Sequence, residues 1–277
     1  MYRVSKVLNN NGVIAIDMDE NQEYVILGKG VGFGKKVSQR FDKPEECTMY
    51  RLAQETERGS AKELVKGIEP EYLEISDAIL TEAQKVFGES IDRGILFPLA
   101  DHISFAVARI RRNEQISNPL TEDIKVLFYS EFKVAETLKT ILKERCQIEI
   151  DDHEVGYVAL HIHSAIGDEK VSVAMQTARA VRECIDMIEK ATGKTIDVLS
   201  LSYNRLMNHM KYMVARASTG EKLNLDMNEY MLDQYPQAYE IAADICKNLE
   251  GCIGHKLDET EIGYLAMHIQ RVYKDAV

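Results

Sequence analysis

One internal repeat constrains this chain more than any other feature. Glu154-Val155-Gly156-Tyr157-Val158-Ala159-Leu160-His161-Ile162 returns 107 residues later as Glu261-Ile262-Gly263-Tyr264-Leu265-Ala266-Met267-His268-Ile269. The same offset carries His102, Phe105, Ala108 and Arg109 onto His209, Tyr212, Ala215 and Arg216, so the two histidines of each copy stand 59 residues apart. Weaker matches take Phe132 and Ala135 onto Tyr239 and Ala242. Self-similarity at a fixed period marks a duplicated structural unit. From about Glu57 onward the apolar residues recur at helical spacing, as in Leu73, Ile75, Ile79, Ala83 and Val86, so each unit is read as a helical bundle.

The residues ahead of the repeat follow another rule. Val13–Ile16 and Tyr24–Leu27 are short runs rich in branched side chains, with Met49–Leu52 as a further candidate, and such runs read as strands. Between them lie the turn signals Asn9-Asn10-Asn11-Gly12 and GKGVGFGKK over residues 28–36. The polar stretch Glu55–Lys62, with Gly59 and Ser60, reads as a linker. The expected fold class is therefore multidomain: a small all-β domain over 1–57, then two homologous all-α helical-bundle domains over 65–170 and 171–277. A sheet this small has little core of its own, so a homodimer through one of its edges or faces is expected.

Charge divides along the same boundary. Residues 1–40 hold six basic and four acidic side chains, a net of +2, which leaves −13 for the rest of a chain whose total is −11. A mildly basic module on an acidic body suits nucleic-acid binding by the module alone. The opening MYRVSKVLNN lacks the apolar run of a signal peptide, and no stretch approaches the roughly 18 uninterrupted apolar residues of a membrane span. A cytoplasmic protein with no membrane insertion is expected. The five cysteines show no C-x-x-C pair, so neither a disulfide framework nor a zinc knuckle is indicated, and free thiols mostly in cores are expected.

Four of the seven histidines occupy matched positions in the repeat. A single histidine on an apolar helix is usually a satisfied core residue; the recurrence of both positions raises a functional reading. Imidazole near neutral pH offers an unprotonated nitrogen and acts as a nucleophile toward phosphorus. Metal ligation also uses neutral imidazole, but no second ligand stands at i+4, and His163 has Gln270 as its counterpart. Enzyme signatures fail: a dinucleotide fingerprint starting at Gly28 and Gly30 needs glycine where Phe33 stands, and a P-loop ending at Lys35 needs Ser or Thr where Lys36 stands. No catalytic residue, metal ligand or cofactor site is assigned, and the chain reads as a recipient of chemistry.

With Lys6-Val7-Leu8-Asn9-Asn10-Asn11, the glycine loop and the two histidine-bearing copies in this order, the chain resembles the BglG/SacY/LicT family of transcriptional antiterminators over essentially its whole length. The resemblance implies an N-terminal β dimer that binds an antiterminator hairpin in nascent mRNA and keeps a terminator from forming. It implies that the helical copies are regulatory domains of the sugar phosphotransferase system, with His102, His161, His209 and His268 phosphorylated by HPr and a sugar permease (enzyme II). Asp101, Arg109 and Arg216 would flank those acceptors, and Asn208 stands where the first copy has Asp101. Lys6, Asn9, Asn10, Asn11, Gly28, Lys29, Gly30 and Phe33 would touch RNA: amides to base edges, lysines to phosphates, and an aromatic to stack on an unpaired base. From the residues alone, Asn9–Gly12 reads first as an ordinary hairpin turn and Phe33 as a core aromatic. Glucose, sucrose and β-glucoside operons remain open as targets. Two other classes compete: a phosphocarrier or signalling protein whose β domain only dimerises, and a DNA-binding activator, which the lack of helical periodicity over residues 1–55 disfavours.

Overall fold

The computed structural model describes residues 1–52, 55–56, 59–88, 91–167, 170–197 and 200–275. Residues 57 and 58, in the middle of the expected linker, lie outside them. The chain divides into two compact units, Met1–Asn118 with Ser130–Val171, and Pro119–Tyr129 with Ser172–Val277.

The first unit opens with a five-stranded antiparallel sheet. Its strands are β1 (Tyr2–Asn9), β2 (Gly12–Asp17), β3 (Glu23–Leu27), β4 (Arg40–Phe41) and β5 (Thr48–Arg51), in the order β4-β1-β2-β3-β5. Because side chains alternate along a strand, the pairings sort residues onto two faces. Val13 opposite Ile26, and Ile26 opposite Met49, place one row on the face where Val13, Ala15, Ile26 and Val31 form the sheet's own core. Ile14, Val25 and Tyr50 form the row on the other face, and the Tyr50 ring meets Phe97 edge-on at 6.3 Å. The sheet is thus buried on both sides at its centre, which suits continuous apolar runs such as Val13–Ile16.

β6 (Glu55–Thr56) and β7 (Gly59–Ser60) pair with each other where the sequence reads as a linker, and a helix starts at once. In chain order the helices up to residue 166 are α1 (Ala61–Gly67), α2 (Pro70–Phe87), α3 (Leu96–Arg111) after a 3-10 turn at Arg93–Ile95, α4 (Thr121–Leu127), α5 (Tyr129–Ala135), α6 (Thr137–Cys146) and α7 (Asp152–Ile166), all but α4 in the first unit. On α2, Leu73, Ile75, Ile79 and Ala83 are buried as their spacing demands, but Val86, in the last turn, is exposed.

The second unit holds α8 (Val171–Thr192), α9 (Leu201–Thr219), α10 (Asn228–Gln234), α11 (Pro236–Ile253) and α12 (Thr260–Asp275). It also contains α4, which the repeat alone assigns to the first copy. A buried carboxylate needs a partner, and Asp123 on α4 accepts a 2.9 Å hydrogen bond from the Tyr203 hydroxyl on α9, while Lys211 lies over the Phe128 ring. Burial pushes the Asp123 carboxyl up. The cysteines are free, but only Cys184 and Cys246 are buried, so the expectation that most lie in cores does not hold: Cys47 and Cys146 are partly exposed and Cys252 is at the surface. Among the described residues no helix is long and apolar enough to cross a membrane.

Candidate functional site: two histidine pairs and an asparagine loop

The caps of α7 and α12 explain why the repeat starts where it does. Asp151 accepts from the backbone N–H groups of His153 and Glu154; 107 residues on, Asp258 accepts from the backbone and hydroxyl of Thr260. Such caps satisfy the unpaired amides of a helix start. Each leaves a glutamate, Glu154 or Glu261, in the first turn. Two turns further on, the same helix face carries His161 or His268.

In the first copy α3 crosses α7, and the rings of His102 and His161 lie 5.4 Å apart, with Tyr157 5.6 Å from His102. Glu154, only 4% exposed, sets Oε2 3.4 Å from His102 Nε2 and takes a 2.8 Å hydrogen bond from Arg109 through Oε1. In the second copy α9 meets α12 in the same way. His209 and His268 stack with ring centres 4.8 Å apart, and Tyr264 lies parallel to His209 at 6.2 Å. Glu261, 2% exposed, is 3.6 Å from His209 Nε2 and receives hydrogen bonds of 2.7 and 2.9 Å from Arg216.

Burial fixes the protonation of the second pair. His209 is pushed down to about 3 by desolvation, then by His268 and Arg216; His268 is pushed down to about 4 by desolvation, then by Arg271 and Arg205. Both are neutral at pH 7, so the His209 contact with Glu261 is no ion pair there. Neither His102 Nε2 nor His209 Nε2 makes a hydrogen bond, and His268 Nδ1 makes none. Buried polar atoms are nearly always paired, and each exception asks for a reason. An imidazole nitrogen that makes no hydrogen bond, next to a carboxylate held by a guanidinium, can in its unprotonated tautomer act as a nucleophile toward phosphorus.

The sequence-derived histidine set is thus brought together as two pairs. Arg109 and Arg216 reach the pairs through Glu154 and Glu261; Asp101 is half-buried on α3, whereas Asn208 is exposed on α9. Phe105 and Tyr212, one turn beyond His102 and His209, are both exposed. His153 and His163, which have no matched partners, are engaged locally: the Nδ1 atoms lie 3.2 Å from the Asn118 carbonyl and 2.9 Å from Glu131. Residue type did not single out Glu154, Glu261, Tyr157 and Tyr264, although all four lie in the repeated nonapeptide. Among the described residues no cluster of His, Cys, Asp and Glu could hold a metal ion.

The sheet end carries the second set. The β1–β2 turn and the glycine loop are stitched together by hydrogen bonds from Gly28 N–H to the Asn11 carbonyl and from Gly32 N–H to the Asn10 carbonyl, both 2.9 Å. A Cβ on Gly32 would fall 2.0 Å from the Asn9 carbonyl oxygen, so only glycine fits there. The loop pushes Phe33 outward, 74% exposed, which excludes the core reading; Lys6, Asn10, Lys29 and Gly30 are exposed too. Gly28 is half-buried, as are Asn9 and Asn11. A protruding aromatic among lysines and amides is a surface fit for single-stranded nucleic acid.

The architecture is that of a nucleic-acid-binding sheet joined to a duplicated helical regulator with paired histidines. Comparison with known proteins agrees. Residues 2–59 match the CAT RNA binding domain, and residues 77–165 and 182–272 each match the PRD domain. The GlcA/glcB genes antiterminator of Staphylococcus carnosus (strain TM300) is 30% identical over 97% of this chain and 94% of its own length. Transcription antiterminator LicT of Bacillus subtilis (strain 168) is 28% identical over 99% of this chain and all of its own. A solved structure titled as the crystal structure of GlcT CAT-PRDI is 31% identical, covering 60% of this chain and 98% of that one, with a TM-score of 0.52. The chain belongs to the family of transcription antiterminators that join a CAT RNA-binding domain to two PRD domains.

Proposed function

We propose that residues 1–57 bind an antiterminator hairpin in nascent mRNA as a homodimer, and that the domains over 65–170 and 171–277 control that binding through phosphate on His102, His161, His209 and His268. The observation that carries this reading is the doubled constellation: a histidine pair, buried in the first copy and half-buried in the second, beside a glutamate-arginine pair at matched positions. The donor is a phosphohistidine or other phosphorylated side chain of the sugar phosphotransferase system. The imidazole lone pair attacks phosphorus, a P–N bond forms, and the donor's bond to phosphorus breaks with its electron pair returning to the donor. Arg109 and Arg216 are the cations at hand to receive the new dianion. A sugar permease acting on the first domain silences the protein, and HPr acting on the second activates it.

Each phosphohistidine adds close to two negative charges to a body already at −13 beyond residue 40. Two such groups about 10 Å apart across a dimer interface repel by roughly 2 kcal/mol in a water-like dielectric, enough to tilt a nearly balanced two-state arrangement. The Lys6, Asn9, Asn10, Asn11, Gly28, Lys29, Gly30 and Phe33 set is the RNA surface, with the lysines neutralising phosphates. The test is equilibrium binding of a labelled stem-loop, taken from the leader of a transcript encoding a neighbouring permease, to the purified chain. Binding that weakens steeply with salt is expected; no binding even at low ionic strength contradicts the reading.

A further inference from the structure

Two residues of the RNA set are already engaged, and by an acidic side chain. Asn9 Nδ2 donates to Glu74 Oε1 at 2.6 Å, and Asn11 Nδ2 donates to Glu74 Oε2 at 3.2 Å, so one carboxylate on α2 spans both amides. The amide orientations follow from the remaining bonds. Asn9 Oδ1 accepts from Asn11 N–H at 2.8 Å, and Asn11 Oδ1 accepts from Gly30 N–H at 3.0 Å, which leaves both NH2 groups facing Glu74. The carboxylate is 19% exposed and has Arg145 of α6 on its other side at 3.7 Å.

The contact is part of a seam. One turn along the same face of α2, Asp77 accepts from the Tyr50 hydroxyl of β5, and Arg93 donates to both Asp77 and Tyr50 at 2.8 Å. Lys62 pairs with Glu23 of β3 nearby. Helix α2 therefore presents two carboxylates, Glu74 and Asp77, to the sheet. Asp77 meets a tyrosine whose ring is buried against Phe97, a purely architectural use. Glu74 instead meets the turn whose amides are the candidate readers of RNA.

We propose that Glu74 is an internal competitor for RNA: its carboxylate fills the seat at Asn9 and Asn11 that a phosphodiester or base edge must take, so the arrangement in the structure is the closed state of the RNA-binding surface. An ionised carboxylate, planar, and a phosphodiester, tetrahedral, each spread one negative charge over two acceptor oxygens, and both draw charge-assisted hydrogen bonds from amides. The exposed Lys6, Lys29 and Phe33 remain available for a first encounter, while full engagement requires Glu74 to leave. A shift of α2 relative to the sheet then opens or closes the site, and this links the helical body to RNA affinity through one named side chain. The inference rests on the RNA-binding reading above.

The experiment compares the full chain with its Glu74→Ala and Glu74→Gln variants in equilibrium binding of the labelled stem-loop, with Asn11→Ala measured alone and combined with Glu74→Ala. About tenfold tighter binding by Glu74→Ala is expected, the factor carried by one charge-assisted hydrogen bond that no longer has to be broken, with a smaller gain for the near-isosteric Glu74→Gln. Asn11→Ala should shrink the gain to the share that the Asn9 contact with Glu74 carries. Unchanged or weaker binding in both Glu74 variants, with wild type binding normally, overturns the competitor role and leaves the RNA-binding reading intact. Absence of binding by every form overturns the RNA-binding reading itself, and this inference with it.

Discussion

The two histidine sites share a plan and differ in how firmly it is locked. In both, a capped helix brings a first-turn glutamate against a histidine of the crossing helix, and an arginine holds the glutamate. The second site holds its rings and its arginine closer, with ring centres 4.8 Å apart against 5.4 Å and two Arg216 hydrogen bonds to Glu261 where Arg109 makes one to Glu154, although its histidine-to-glutamate approach is 3.6 Å against 3.4 Å. The Arg216 side chain is 14% exposed, that of Arg109 23%. A cavity of about 190 Å³ borders Arg216 and Glu261, with Lys222 and Lys256 in its wall; the matched positions of the first copy are Gln115 and Glu149. Duplication kept the chain of ring, carboxylate and guanidinium while the surroundings of the two copies diverged.

Removing the carboxylate breaks this comparison most sharply. Glu261→Ala leaves Arg216 as a largely buried cation without its partner and should cost about 3 kcal/mol of stability. Glu154→Ala should cost less, because Arg109 has more water and one fewer hydrogen bond to lose. Urea unfolding of the two variants measures both, and equal losses would erase the distinction between the sites.

Acid offers a gentler probe of the second site. The folded His209 and His268 titrate near 3 and 4, below the value of about 6.5 they take when unfolded. Between those limits the unfolded chain binds more protons than the folded one. The stability they permit is therefore whole above about pH 6.5 and declines as pH falls toward 4 and then 3. By pH 5 the loss reaches roughly 2 kcal/mol for each histidine. The thermal midpoint should fall between pH 7 and pH 5, and fall less in His209→Gln/His268→Gln; an identical fall in that variant contradicts the assignment.

How much of this could be read in advance depended on whether neighbours in sequence carried the information. β2 and β3 announce themselves through branched runs, and β5 more faintly through Met49–Leu52. β1 does not: its register shifts between Val4 and Lys6 and again between Val7 and Asn9, which breaks the alternation that would reveal it. β4 is two residues long and follows a loop, too short for any pattern. The histidine pairs were legible because duplication repeated them, and the same repeat displayed Glu154 and Glu261, whose role depends on a helix crossing that spacing cannot supply. The contact of Glu74 with Asn9 and Asn11 spans 65 and 63 residues, and no local signal points to it. The placement of α4 in the second unit is likewise a matter of where Asp123 finds a partner.

The most direct measurement is the affinity of the full chain for its hairpin before and after treatment with a phosphohistidine donor. With HPr as the donor the expected outcome is binding tighter by about tenfold or more, with His102→Ala/His161→Ala no longer silenced by the permease, His209→Ala/His268→Ala failing to be activated, and the fourfold variant indifferent to either donor. Equal affinity in the treated and untreated wild-type protein, or a donor response that survives loss of all four histidines, would show that these imidazoles do not store the charge that governs RNA binding.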